Sequence, residues 1–223
     1  MPPSRVDPAV EFGALRDGLA DLASLVLAQV ERAVAGWEEG DPSALERIAE
    51  GDREVDARSA ALEERVLALH RTWPAFAQDL RLLHIGLIAA IALERVGNLA
   101  VAIARQAGAA PPAAAADSPA RGLIRRMSDR AVDALALAVQ AISRGDVEAG
   151  ERAAREARAV GPMLDGVLHA VTTAGGGQEV RAWSAAAVLV ARHIERVANN
   201  AAELGERVRF LVTGELAPGH DGG

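Results

Sequence analysis

The sequence predicts an all-α protein made of two tandem three-helix bundles, and three observations carry that prediction. Apolar residues recur at three- and four-residue spacing over long stretches, while no segment alternates in the way a half-buried strand does. The core must be aliphatic, because 50% of the residues are hydrophobic but only 3% are aromatic, with no Tyr. Ala and Leu, abundant here, are among the strongest helix formers. Finally, the chain repeats itself. Glu94-Arg95-Val96-Gly97-Asn98 returns as Glu195-Arg196-Val197-Ala198-Asn199, 101 residues later, and Gly40-Asp41 returns as Gly145-Asp146 at an offset of 105. Two landmarks in the same order at nearly the same offset mark a duplicated unit.

The first helix is expected over about 11–37, where Leu15, Leu19, Leu22, Val26 and Val30 share one face. Gly40 ends it. Asp41 then caps a second helix that opens on Pro42 and runs to about 69. Thr72, Trp73 and Pro74 lead into a third helix, expected over about 73–106. Its middle (Leu82, Leu83, Ile85, Leu87, Ile88, Ile91, Leu93) is apolar nearly all round, which predicts a central helix packed on more than one side. An Ala/Pro-rich linker, 109–118, includes Pro111-Pro112-Ala113-Ala114-Ala115-Ala116. Ser118-Pro119 reads as a cap and first turn for a fourth helix to about 143. A fifth helix, about 147–172, should bend at Pro162, and Gly175-Gly176-Gly177 precedes a sixth over about 178–211. The organisation is therefore a first repeat at 11–108, the linker at 109–118, a second repeat at 119–214 and a flexible tail at 215–223.

Composition excludes several classes. The formal charge of −7 argues against a nucleic-acid partner, since neutralising phosphates needs a basic surface. With Cys at 0 there is no disulfide and no thiolate metal site, which fits a reducing, cytoplasmic setting. No apolar core follows the basic start Met1-Pro2-Pro3-Ser4-Arg5, so a signal peptide is not expected. The longest apolar run, Leu82 to Leu93, stops at Glu94-Arg95. That falls short of the roughly 20 residues a membrane span requires, so the expectation is a buried core helix and not a spanning one.

Candidate functional residues cluster at the repeated motif. Side chains at i and i+4 share a helix face, so Glu94 with Asn98, and Glu195 with Asn199, each set a carboxylate beside a carboxamide. Asp52 and Asp56 add acids from the second helix. These groups can equally pair within a bundle, where buried charge must be compensated. The Glu-x-x-His pattern of carboxylate-bridged di-iron bundles is absent, because Glu63, Glu64, Glu94 and Glu195 lead to Val66, Leu67, Gly97 and Ala198. His84 and His193 read as core or surface residues. Arg121, Arg125, Arg126 and Arg130 form a basic cluster that reads as a solvated face, with docking of an acidic partner or a phosphate group as the alternative. No Lys-Ser/Thr follows the three glycines, so they form a loop and not a phosphate cradle. Nothing resembles a nucleophile–base pair, and no enzymatic activity is expected.

Asp79-Leu80-Arg81 followed at matching distance by Leu93-Glu94-Arg95-Val96-Gly97-Asn98, the acidic run Asp52-Arg53-Glu54-Val55-Asp56, the second copy Ile194 to Asn200 and the ending Phe210 to Glu215 together resemble the PhoU family. The resemblance covers most of the chain. It implies a regulator that damps phosphate uptake and phosphate-starvation signalling by protein–protein contact. Its implied partners are the ATPase of a phosphate transporter and a membrane sensor kinase, and its implied state is a homodimer. In that family the signature acids can hold multinuclear metal clusters. This chain has Asn98 and Asn199 where the aspartates belong, and an amide oxygen binds a hard cation more weakly than a carboxylate. At the 105-residue offset Asp52, Asp56 and Glu50 become Ala157, Gly161 and Arg155. The expectation is one weak metal site at Asp52, Asp56, Glu94 and Asn98, a lost one at Glu195 and Asn199, and no required cofactor. At most a weakly bound divalent or iron-type ion is expected. The competing readings are a metal-binding helical bundle and a divergent adaptor of another transport or stress pathway.

Overall fold

Residues 8–72, 77–109 and 117–215 are described by the structure, a computed structural model, and among them there is no strand. The elements are α1 (Pro8–Glu39), α2 (Ala44–Thr72), α3 (Ala77–Ala104), α4 (Pro119–Arg144), α5 (Val147–Arg158), α6 (Gly161–Thr173) and α7 (Gln178–Thr213). Helices α1, α2 and α3 pack on one another as the first bundle, and α4, the α5–α6 pair and α7 form the second. Trp73, Pro74, most of the Ala/Pro-rich linker and the tail from 216 lie outside the described residues.

The duplication is written into the backbone. Gly40 (φ 67°) donates to the Trp37 carbonyl at 3.2 Å, and the Asp41 N–H donates to the Gly36 carbonyl at 2.9 Å. Gly145 (φ 66°) repeats this with Ile142 at 3.4 Å, as Asp146 does with Ala141 at 3.0 Å. Both are left-handed glycines closing a helix, a conformation other L-residues adopt at a cost. The core repeats too. Leu15, Leu19, Leu22, Val26 and Val30 are buried, and so are their counterparts Ala120, Ile124, Met127, Ala131 and Leu135.

Two local expectations need correction. The helix after Gly40 begins at Ala44, not Pro42. Residues 42–43 form a turn in which the Asp41 carboxylate accepts from the Ser43 N–H at 2.9 Å. The Arg47 guanidinium first, and then Ser43, hold that carboxyl down at about 2. The helix expected over 147–172 does not merely bend at Pro162 but divides into α5 and α6 around Ala159 and Val160. Proline has no N–H to continue the ladder and its ring crowds the carbonyl four residues back. The chain closes the gap with tighter bonds, Val160 to Ala157 at 3.1 Å and Met163 to Val160 at 3.1 Å, and Pro162 sits in the first turn of the new helix.

Helix α3 is the central one. It packs against α1, α2 and α7, with Ile85, Leu93, Val96 and Ile103 fully buried. It is longer than its densest apolar run: among the described residues it is the helix long and apolar enough to cross a membrane, yet 56% of that window is buried inside the fold. A single apolar core runs through both bundles, and an aromatic stack and two polar clamps reinforce their junction. Trp37 stacks on Trp183 with ring centres 5.6 Å apart. Arg81 on α3 donates to the Leu211 carbonyl at 3.0 Å and the Val212 carbonyl at 3.4 Å, at the C-terminus of α7. Arg121 on α4 donates to the Glu38 carbonyl at 2.6 Å, at the C-terminus of α1. Guanidinium groups at helix C-termini satisfy orphan carbonyls and oppose the negative end of the helix dipole.

Candidate functional site

In the first bundle α2 places Asp52 and Asp56 one turn apart, and α3 places Glu94 and Asn98 one turn apart. Asp52 points into the α2–α3 seam. Its Oδ1 is buried without a hydrogen-bond partner, and a β-carbon built on Gly97 would come within 2.8 Å of it. Gly97 therefore makes the space that the carboxylate fills. Burial first, and then the neighbouring charges of Asp56 and Glu94, push the Asp52 carboxyl above the usual carboxylate range. The three acids thus share one electrostatic field. Glu94 is half-buried and Asp56 exposed. Asn98 is exposed, and its Nδ2 donates back to the Glu94 carbonyl at 3.3 Å.

No three Asp, Glu or His side chains come together as a metal-holding group among the described residues. With Asn98 turned onto its own helix, this donor set does not fit a multinuclear cluster. Its unpaired, mutually repelling carboxylates nevertheless favour whatever neutralises them, proton or cation.

The second bundle carries the motif in a different setting. Glu195 is paired with Arg192 on its own helix, and Asn199 is exposed. The neighbouring Asn200 donates to the Arg196 carbonyl at 2.8 Å. The counterpart of Asp52 is Ala157, which is buried. Here α5 and α7 approach so closely that a β-carbon on Gly205 would lie 2.5 Å from the Gly150 carbonyl oxygen. That seam is apolar and tight, with no acid from α5 beside Glu195. His193 is half-buried on α7 with an unpartnered Nδ1; burial first, and then Arg196 and Arg105, lower its pKa. His84 is exposed and meets Phe210 edge-on.

The basic cluster on α4 is largely engaged within the fold. Arg121 caps α1, Arg125 pairs with the Glu38 carboxylate, and Arg130 lies 3.8 Å from Glu156. Sequence reasoning also passes over Gln29, which carries no motif. It reads as one polar residue on an apolar helix face, yet it is buried and its carboxamide has no partner.

The PhoU domain family model matches residues 19–107 and 124–208, one match in each bundle. The chain is similar to the phosphate-specific transport system accessory protein PhoU of Escherichia coli K12, 24% identical over 212 residues, covering 92% of this chain and 85% of that protein. The protein of the same description from Shigella flexneri is equally similar. Among solved structures, PhoU from Pseudomonas aeruginosa has a TM-score of 0.84 at 22% identity, covering 94% of this chain and 100% of that one. The phosphate transport system regulatory protein PhoU from Streptococcus pneumoniae has a TM-score of 0.85 at 20% identity, covering 94% and 99%. The folds agree over nearly the whole length, and the family match falls once on each half of a duplicated bundle: the chain belongs to the PhoU family.

Proposed function

We propose that the protein is a negative regulator of phosphate uptake and phosphate-starvation signalling, acting by stoichiometric contact without turnover. The observation that carries this reading is the family match on both halves, together with an alignment spanning 92% of the chain to a phosphate-specific transport accessory protein. The partners are the ATPase of a phosphate transporter and a membrane sensor kinase, met in the cytoplasm by a homodimer. The clamps at the junction of the bundles favour a rigid body that offers preformed helix faces. Exposed Leu67, Leu80 and Leu189 on α2, α3 and α7 supply apolar contact points on those faces.

Gene deletion tests the reading. Without the protein, phosphate uptake and starvation-response genes should stay active when phosphate is plentiful. Complementation with Glu94→Gln should restore control better than charge reversal across an exposed helix face, because rim charges steer docking. Phosphate control unchanged in the deletion strain, in rich and starved medium alike, would move the protein to another transport or stress pathway.

A second reading has its own observation. The unpartnered Oδ1 of Asp52, repelled by Asp56 and Glu94, favours a single weakly held divalent cation at that seam. The regulatory reading requires no metal. A cation there would stabilise the α2–α3 pairing without entering any reaction.

A further inference from the structure

Each copy of the repeated motif sets an arginine after its glutamate, and the acidic site uses neither Arg95 nor Arg196. Both are exposed. Arg95 lies 11 residues beyond His84 and 14 beyond Arg81, close to three and four whole helical turns. It therefore shares the face of α3 that meets α7 through those two residues. On α7, His193 is half-buried one turn before Arg196. The charged groups acting on it are Arg196 and Arg105, which lies just past the end of α3, and both are cationic. Arg95, Arg105, His193 and Arg196 thus gather along the α3–α7 seam, where the two bundles meet.

None of the four has a counter-charge. Among the described residues Arg95, Arg105 and Arg196 form no ion pair and no side-chain hydrogen bond, and the Nδ1 of His193 has no partner. The acids on this stretch of α7 are already engaged, Glu195 by Arg192 and Glu203 by Arg207 at 2.6 Å. Glu94 shares its field with Asp52 instead. Unlike Arg81 and Arg121, these arginines are not spent on helix-end carbonyls. In a chain with 31 acidic against 24 basic residues, a basic cluster without acids runs against the average. Like charges gathered in this way repel one another, and an anion brought to the seam is attracted by each of them.

We propose that the α3–α7 seam docks an acidic segment of a partner protein. From Arg95 to Arg105 the chain rises about 15 Å, too far for one phosphate or carboxylate to span. A polypeptide carrying several Asp or Glu side chains matches that spacing. A guanidinium can hold a carboxylate through two parallel hydrogen bonds, which gives each contact direction as well as charge. Leu189, exposed one turn before His193 on α7, offers an anchor to an apolar side chain of the same segment. The role of this surface in the cell rests on the contact-mediated reading above, whereas binding itself is measured apart from it.

Fluorescence anisotropy of the full chain with a labelled Glu- and Leu-rich peptide tests it, beside a Gln-substituted peptide, inorganic phosphate and phosphatidylglycerol vesicles. The acidic peptide should bind saturably and more weakly as salt rises, and its Gln counterpart should not bind. Arg95→Ala together with Arg196→Ala should weaken the peptide at least about tenfold, and Arg105→Ala should weaken it less. Arg32→Ala together with Arg126→Ala removes the same charge from exposed positions on α1 and α4. That pair should leave affinity within about twofold of the wild type. All these variants should melt with the wild type, since the arginines are exposed. No saturable binding up to about 1 mM peptide, or equal losses in the two double variants, would overturn the proposal. So would phosphate or vesicles binding as well as the peptide through the same arginines, or a lowered melting point in the Arg95 and Arg196 variant. In the deletion strain, Arg95→Glu with Arg196→Glu should fail to restore phosphate control, and restored control would overturn the surface. If deletion alone leaves phosphate control unchanged, the family role falls while the peptide titration still decides the site.

Discussion

Asp52 and Gly97 fit together as carboxylate and gap: the Oδ1 of one occupies space that a β-carbon on the other would invade at 2.8 Å. At the repeat offsets the second bundle has Ala157 and Ala198, both buried, at these positions. The two pairs represent two solutions to one helix contact. Gly97→Ala gains helix propensity of about 1 kcal/mol, but it presses on Asp52 and on Val55, whose Cγ1 would be 3.0 Å away. Overpacking typically costs about 1–3 kcal/mol. The single variant should therefore be destabilised, and Gly97→Ala in an Asp52→Ala background should be restored or improved. Urea unfolding of the four proteins gives the coupling, expected at about 1 kcal/mol in favour of the double variant. Additive effects would show that the two residues do not share the space.

Asp52 also sets a pH dependence. Its carboxyl is raised by burial, then by Asp56 and Glu94, so the folded state binds a proton more tightly than the unfolded chain. For a raised acid, the ionised form costs folding energy above the folded pKa, and that cost disappears as pH falls below the unfolded value of about 3.9. Asp52→Asn should raise the melting temperature at neutral pH, and the gain should shrink steadily on acidification. A gain that is constant with pH would locate the effect in packing, not in charge.

The metal question follows from the same three acids. Protein purified without an affinity tag should carry no stoichiometric, tightly held iron, zinc or manganese in either bundle. Asn98→Asp adds a fourth carboxylate near Asp52, Asp56 and Glu94, and should strengthen binding of added manganese at the first site. Asn199→Asp should do little, because Glu195 is engaged by Arg192 and the repeat counterpart of Asp52 is Ala157. Metal analysis and calorimetry check both halves of this statement. Tight native metal would show that the amides serve as ligands.

Sequence periodicity resolved the α1 core because burial at 3.6-residue spacing leaves a direct imprint. The duplicated Gly-Asp turn was legible for a similar reason, since few residues tolerate the left-handed angle of Gly40 and Gly145. Pro162 announced a disturbance but not its extent. Whether a helix bends or divides depends on what its flanks pack against, and Val160 at the break is fully buried. The arginines of α4 were opaque because their partner Glu38 lies 83 to 87 residues away. No local pattern encodes such a contact. Asn98 could be named from the repeated motif, but the turn of its amide onto its own helix could not.

Arg81 offers the most direct test of how the bundles are joined. Its guanidinium, half-buried, reaches two carbonyls at the end of α7, 130 and 131 residues further along the chain. Hydrogen bonds from a charged donor contribute about 1.5–3 kcal/mol, and partial exposure places this one near the lower end. Arg81→Ala should thus destabilise the protein by about 1–2 kcal/mol. Arg81→Lys should recover only part of that, because an ammonium keeps the charge but lacks the planar fork that spans both carbonyls. Hydrogen exchange localises the effect. Amides in the last turn of α7 should exchange faster in Arg81→Ala, while those in the middle of α1 should follow only the global loss of stability. If the end of α7 is no less protected than in the wild type, the bundles are held together by their apolar core alone and the clamp adds nothing to the junction.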